Sequence, residues 1–164
     1  MNRKRIGTVL LLLAILAALA FIWGNSLESA VESSLKSGRV RELIEPLLEL
    51  LVGQGNVTDH MVRKLAHLTE FAVLGALLLL LTAAAFRVRL QSVLNCQFFL
   101  LLAALTDETI QLFTGRGSQV RDVWLDFAGG TAGLLAMLLL LWLLRCLFRP
   151  RDRRRGSHGH DKTP

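Results

Sequence analysis

Four runs of apolar residues organise the chain, each close to the roughly 20 residues that a helix needs to cross a bilayer. The first runs from Ile6 to about Trp23 and meets no charge until Glu28. The second covers about Leu65 to Phe86, with no charge after Glu70. The third covers about Leu90 to Phe113, charged only at Asp107 and Glu108, and the fourth about Val123 to Leu144, charged only at Asp126. This pattern predicts an all-α, polytopic membrane protein. Its four transmembrane helices form a small bundle within residues 1–148, followed by a basic tail at 149–164. The first run also has the marks of a signal peptide, with a basic start and a small-x-small site at Ala18-Leu19-Ala20. Its apolar stretch continues through Phe21, Ile22 and Trp23, longer than most secretory cores, so a retained helix is expected.

Residues 24–60 read as an outer loop with structure of its own. Ser26, Ser29, Ser33 and Ser37 recur at steps of three and four, which would line one helix face. Val40, Leu43, Ile44, Leu47, Leu48 and Leu51 repeat in the same way, with Arg41, Glu42, Glu45 and Glu49 opposite. An amphipathic helix is expected here, interrupted or restarted at Pro46. It would lie in the membrane interface or pack over the outer ends of the bundle. Gly53-Gln54-Gly55-Asn56 reads as a loop, and Thr58 or Asp59 as a cap for the second span.

Composition narrows the function classes. The 164 residues are 52% hydrophobic, too apolar for a disordered chain or an ordinary soluble domain of this size. The net charge of +6 sits at the ends: Arg3, Lys4 and Arg5 at the start, and seven basic against two acidic residues from Arg145 onward. The stretch between is slightly acidic, which argues against a nucleic-acid-binding face. With both termini inside, twelve Lys and Arg face the cytoplasm and seven face outward, so the positive-inside rule predicts cytoplasmic N- and C-termini. The run from Arg149 to Arg155 would sit against anionic headgroups or act only as an orientation signal. Cys96 and Cys146 lie in or beside apolar runs and read as free, reduced thiols. His158 and His160 alone make a poor metal site.

Ionisable groups cost roughly 2.5–3.5 kcal/mol each at mid-bilayer, so those that are kept mark a candidate site. His67 and Glu70 fall in the first turns of the second span, Asp107, Glu108 and Gln111 in the last turns of the third, and Asp122 and Asp126 in the first turns of the fourth. Three helices thus bring polar groups to one layer, on the outer side if the termini are inside. The spacings 67/70, 108/111, 107/111 and 122/126 each put a pair on one helix face. Asp122 would also gain from the positive end of the fourth helix dipole. Lys64, Arg63, Arg116 and Arg121 are available as counter-charges, and an arginine could grip a carboxylate or phosphate in bidentate fashion. The layer reads either as a polar network stapling the bundle or as a ligand or catalytic site. Candidate catalytic residues are His67, Glu70, Asp107, Glu108, Asp122 and Asp126, and candidate substrate-binding residues are Lys64, Gln111 and Arg116. Gly129, Gly130 and Gly133 with Ala128, Ala132 and Ala136 form a small-residue face suited to packing within the chain, with homodimer formation as the alternative. Phe71, Leu74 and Gly75 continue the His67 and Glu70 face, and Gly75 leaves room for a neighbouring helix.

Arg63-Lys64-x-x-His67-x-x-Glu70-Phe71-x-x-Leu74-Gly75, Asp107-Glu108-x-x-Gln111-x-Phe113-x-Gly115-Arg116 and Asp122-x-x-x-Asp126-x-x-Gly129 occur in this order. Together these blocks resemble the VanZ-like family of bacterial membrane proteins. The family often has Asn where this chain has Asp126, and Pro where it has Thr114. The resemblance implies a four-helix protein of the bacterial cytoplasmic membrane, in a family named for a member linked to teicoplanin resistance. It brings no settled reaction. Two functions are therefore expected. One is an envelope protein whose polar pocket binds a lipid-linked or cell-wall headgroup. The other is an enzyme on a lipid-linked phosphate or glycan, with Glu108 or Asp126 as general base, His67 as acid or base and Arg116 as anion clamp. No H-E-x-x-H, G-x-S-x-G or phosphate-cradling glycine loop is present. No cofactor is expected; several carboxylates could hold a divalent metal, but no specific metal motif supports one. Expected partners are membrane lipids and a lipid-linked precursor, with no nucleic acid, in a monomer or homodimer. A transporter or channel fits poorly, because the inner halves of the spans are mostly Leu and Ala.

Overall fold

The computed structural model describes residues 3–53, 57–115 and 119–148, all helix and connecting turns. Five helices follow in order: α1 (Arg3–Ser26), α2 (Ala30–Val52), α3 (Asp59–Ala85), α4 (Leu90–Phe113) and α5 (Val120–Leu147). Four of them, α1, α3, α4 and α5, are long and apolar enough to cross a membrane. The shortest, at 24 residues, is about 36 Å long at 1.5 Å per residue, against a hydrocarbon core of about 30 Å. Helices also close every backbone hydrogen bond within the segment, which lipid demands. Their outward faces carry large exposed apolar residues such as Leu13, Leu16, Phe98, Leu140 and Trp142. In water such a surface would drive aggregation, whereas in a bilayer it is the solvated surface.

α3 is the axis of the bundle and packs against every other helix, most extensively against α5. Small residues set that contact, as the sequence face of Gly129 and Gly133 predicts. A methyl group added at Gly133 would overlap the Ala72 carbonyl, and one at Gly75 would overlap that of Gly130. A methyl at Gly129 would come within 2.5 Å of the Leu68 carbonyl oxygen. Two backbones therefore touch where side chains normally separate them, which maximises dispersion contact where no hydrophobic force acts between helices. Gly130 faces α4 instead, where a methyl would meet Leu100 at 2.8 Å. The small-residue face serves packing within the chain. Ile15, Leu19 and Ile22 of α1 join Phe71, Leu74, Leu79, Leu100 and Leu134 in one apolar core.

Several boundaries differ from the sequence reading. α3 starts at Asp59 on the expected cap, where the Thr58 hydroxyl accepts from the Met61 N–H at 3.2 Å, so the helix begins in the polar region ahead of its apolar run at Leu65. α1 and α5 also extend about a turn beyond their apolar runs at both ends, since helices outlast the hydrophobic stretch. The four serines do not share one helix face. Ser26 closes α1, the chain turns at Leu27–Glu28, and Ser29 caps α2, leaving Ser33 and Ser37 buried on α2. α2 is not interrupted at Pro46 but runs through it. The missing N–H and ring clash cost about 3 kcal/mol in a helix interior. Packing of Ile44 and Leu48 against Val57 and Val62 opposes that cost. Leu43 and Leu47 of the same stripe stay exposed, so α2 packs on the bundle and still offers apolar surface outward. Gln54–Asn56, Arg116 and the tail at 149–164 lie outside the described residues.

α2 starts with a reciprocal cap: the Ser29 hydroxyl accepts from the Glu32 N–H at 3.3 Å, and Glu32 accepts from the Ser29 N–H at 3.1 Å. The Ser29 hydroxyl and N–H together hold the Glu32 carboxyl below its usual range. A depressed pKa stabilises the fold above the unfolded-state value, and that contribution is lost as pH falls through the folded one. Ser29→Ala should weaken the start of α2 at neutral pH, because it removes the hydroxyl that caps the Glu32 N–H. The difference from wild type should shrink under acid. Amide exchange of residues 30–34 reads both effects, and a pH-independent difference would rule out the hydrogen bond from the Ser29 hydroxyl to the Glu32 carboxylate.

Candidate functional site

Three helix ends and the end of α1 meet in one polar layer. Asp107, on the inward face of α4, is fully buried at 0% exposure. Its Oδ1 accepts from the Ser26 hydroxyl at 2.6 Å, and its Oδ2 accepts from Gln111 Nε2 at 2.7 Å. Gln111 also donates to Ser26 Oγ at 3.4 Å. Just past α4's last turn, the Thr114 hydroxyl donates to the Ser26 carbonyl at 3.1 Å, tying the end of α1 to the end of α4. His67 of α3 places its Nδ1 3.8 Å from Asp107 Oδ2 and 3.8 Å from Glu70 Oε2. Asn25 of α1 donates to Glu70 Oε1 at 3.1 Å.

The second half of the layer is built between α3, α4 and α5. Glu108, 5% exposed, accepts from the Gln119 N–H at 3.2 Å, which holds the start of α5 to the end of α4. Lys64 forms an ion pair with Asp122. Asp126 is 2% exposed, and its Oδ2 has no hydrogen-bond partner among the described residues. One carboxylate oxygen each from Asp107 and Asp126 and one ring nitrogen of His67 lie within 4.8 Å of one another, the arrangement in this layer that could hold a metal ion.

Part of this layer opens onto a cavity of about 260 Å³, which Asp107 itself does not line. His60, Arg63, Lys64 and His67 line it from α3, Glu108 and Gln111 from α4, and Asp122 and Asp126 from α5. Arg63 Nη2 lies 3.2 Å from His60 Nδ1 at its rim. A second cavity of about 360 Å³, between α1, α2 and α3, shares Arg63 and His67 with the first and reaches Asn25, Lys36 and Glu70. His67 therefore stands between two chambers.

The structure brings together eight of the nine sequence candidates: His67, Glu70, Asp107, Glu108, Asp122, Asp126, Lys64 and Gln111. The ninth, Arg116, lies outside the described residues. Arg121, considered as a counter-charge, is exposed and does not line the cavity. Sequence reasoning misses Asn25 and Ser26, because it ends the first span at Trp23. The signal is present: Asn25 and Ser26 directly follow an apolar run, at the depth where the other spans carry their polar groups.

The ordered blocks that build this layer fall inside residues 10–145, which match the family model VanZ/LLP1. The chain belongs to the VanZ/LLP1 family. No curated protein and no solved structure matches it. The VanZ/LLP1 match takes in α2 and the bulk of all four membrane-length helices, so the polar layer lies wholly within the family region.

Proposed function

We propose that this VanZ-family protein sits in the bacterial cytoplasmic membrane with both termini inside. In this reading it binds the anionic headgroup of a lipid or lipid-linked cell-wall precursor in the outward-facing cavity between α3, α4 and α5. The observation that carries this reading is the cavity itself. It sets Arg63 and the Asp122-paired Lys64 beside hydrogen-bonding Gln111 and Gln119, with the Glu108 and Asp126 carboxylates on the same wall. The Arg63 guanidinium suits phosphate or pyrophosphate oxygens, a bound phosphate would compete with Asp122 for Lys64, and the amides suit sugar or peptide groups. Binding would change how a cell-wall precursor, or a glycopeptide such as teicoplanin that recognises it, is presented at the membrane. A second reading, acid–base chemistry on the same headgroup, is favoured by His67 standing between the Glu70 and Asp107 carboxylates.

The test uses protein purified in detergent and lipids extracted with it. Wild type should retain anionic lipid or lipid-linked pyrophosphate in native mass spectra, and Arg63→Ala/Lys64→Ala should lose at least about tenfold, one charge-assisted contact or more. Unchanged lipid retention in that variant would overturn the binding reading. Turnover of the bound lipid, lost in His67→Ala, would favour the second reading. Orientation is read with Ser118→Cys in a Cys96→Ala/Cys146→Ala background. Labelling by an impermeant thiol reagent in intact cells is expected, and labelling only after lysis would place the layer inside.

A further inference from the structure

We infer that His67, Asp107 and Asp126 form a binding site for one divalent transition-metal ion, of the zinc or manganese class, at the floor of the cavity. This goes beyond the headgroup reading and does not depend on it.

The first observation is geometric. Donor atoms from three different helices, α3, α4 and α5, converge to within 4.8 Å of one another. In a tetrahedral site with bonds of about 2.0–2.1 Å, neighbouring ligand atoms stand about 3.3 Å apart. The three donors are therefore at most about 1.5 Å too open, a gap that rotation of the Asp126 and His67 side chains toward the fixed Asp107 can close. Three protein ligands leave a fourth position facing the cavity, which His67 and Asp126 both line. One imidazole with two carboxylates suits zinc or manganese better than calcium or magnesium, whose sites are made of oxygen.

The second observation is independent of that convergence. Asp126 is 2% exposed, and its Oδ2 is buried with no hydrogen-bond partner among the described residues. A buried carboxylate oxygen without a donor is costly and is usually matched by a bound ion, water or proton. The nearby cation, Lys64, is already committed to Asp122. Asp107, by contrast, has the outer support that a ligand carboxylate needs. Ser26 and Gln111 donate to its two oxygens at 2.6 and 2.7 Å and fix its orientation, while leaving further lone pairs for a metal. Ser26 and Gln111 are thus positioning residues that act through Asp107.

The full chain is purified in detergent through a tag without histidines, with His158→Ala/His160→Ala to remove the tail as a competitor. It is stripped with a chelator, then given zinc or manganese alone. Metal retained after desalting is counted by mass spectrometry, and the affinity is read by competition with a fluorescent chelator. The expected result is about one ion per chain. His67→Ala and Asp126→Asn should each weaken binding by more than about 100-fold, beyond the range of an outer-shell change, while Ser26→Ala weakens it by about 10–100-fold. Cobalt substitution should give visible absorption bands that His67→Ala abolishes, a signature that a purely structural role would not produce. Absence of retained metal in the wild-type chain would overturn the proposal. So would wild-type affinity in folded His67→Ala protein. Should Asp126→Asn fail to fold, the wild-type stoichiometry and the His67→Ala spectrum still decide it. Asp126→Asn that is as stable as wild type, with no metal bound to either, would mean that a proton neutralises Asp126.

Discussion

Gly133→Leu is expected to keep α3 and α5 apart and to leave little folded protein. The seam between these helices is a backbone contact. A methyl group at Gly133 already overlaps the Ala72 carbonyl, and both partners are helix backbone that cannot rotate aside. Overpacking in a core that can adjust costs about 1–3 kcal/mol, and this one cannot adjust, so a cost above about 3 kcal/mol is expected. For a chain of this size that corresponds to a fall in Tm of roughly 6–12 °C or more. Gly24→Leu is the control, because Gly24 is exposed and a methyl group there meets nothing within 4 Å. Thermal unfolding in detergent with intrinsic fluorescence compares the two. A Gly133→Leu protein that melts with wild type would mean that the two helices do not approach as described.

Asp107→Ala is expected to have the second-largest effect, through the groups it leaves behind. Ser26 Oγ and Gln111 Nε2 both give hydrogen bonds to Asp107, and all three residues are buried. A buried polar group that loses its partner costs about 1–3 kcal/mol, so two of them predict a loss of about 2–6 kcal/mol. Because the cost lies in the abandoned donors, it should not add to theirs. Once Asp107 is alanine, a further Ser26→Ala should be nearly neutral, whereas Ser26→Ala alone should destabilise. A double-mutant cycle in chelator-treated protein should give a coupling of about 0.5–3 kcal/mol. Strict additivity would show that the Ser26–Asp107 bond has no energetic role.

Membrane helices announce themselves where lipid is their solvent and fall silent where protein is. The apolar pattern puts α4 at 90–113, and it lies there, because Arg89 and the Thr114-Gly115 turn mark sharp ends to its apolar run. Hydropathy alone would start α3 near Leu65, and it is the capping signal at Thr58 that brings Arg63 and Lys64 into the helix. In the fold both sit on a capped helix and line the cavity. The polar layer itself is legible, since ionisable residues are too costly in lipid to gather at one depth in three spans without a use. What spacing does not convey is the pairing across helices. The 107/111 pair is a true contact on one helix, yet Ser26 reaches Asp107 only because α1 packs against α4. Likewise the convergence of Asp126 with His67 and Asp107 depends on how close the glycine seam lets α5 approach α3. In α2 the expected apolar stripe narrows to Ile44 and Leu48 among the described residues, because α2 packs mainly against one neighbour, α3, and a single contact covers only a narrow strip.

The helices that share the glycine seam are not neighbours in the chain, because α4 lies between them. This separation has a consequence for biosynthesis. As the chain leaves the translocation machinery in order, α4 carries Asp107 and Glu108 into the bilayer before Gly129 and Gly133 have been delivered. Ser26 and His67 have already arrived and can shelter Asp107 at once. Glu108 must wait for Gln119 at the start of α5. The bundle is therefore sealed by its last helix. A chain that stops before α5 would hold only three of the four membrane-length helices and would leave Glu108 without its Gln119 partner.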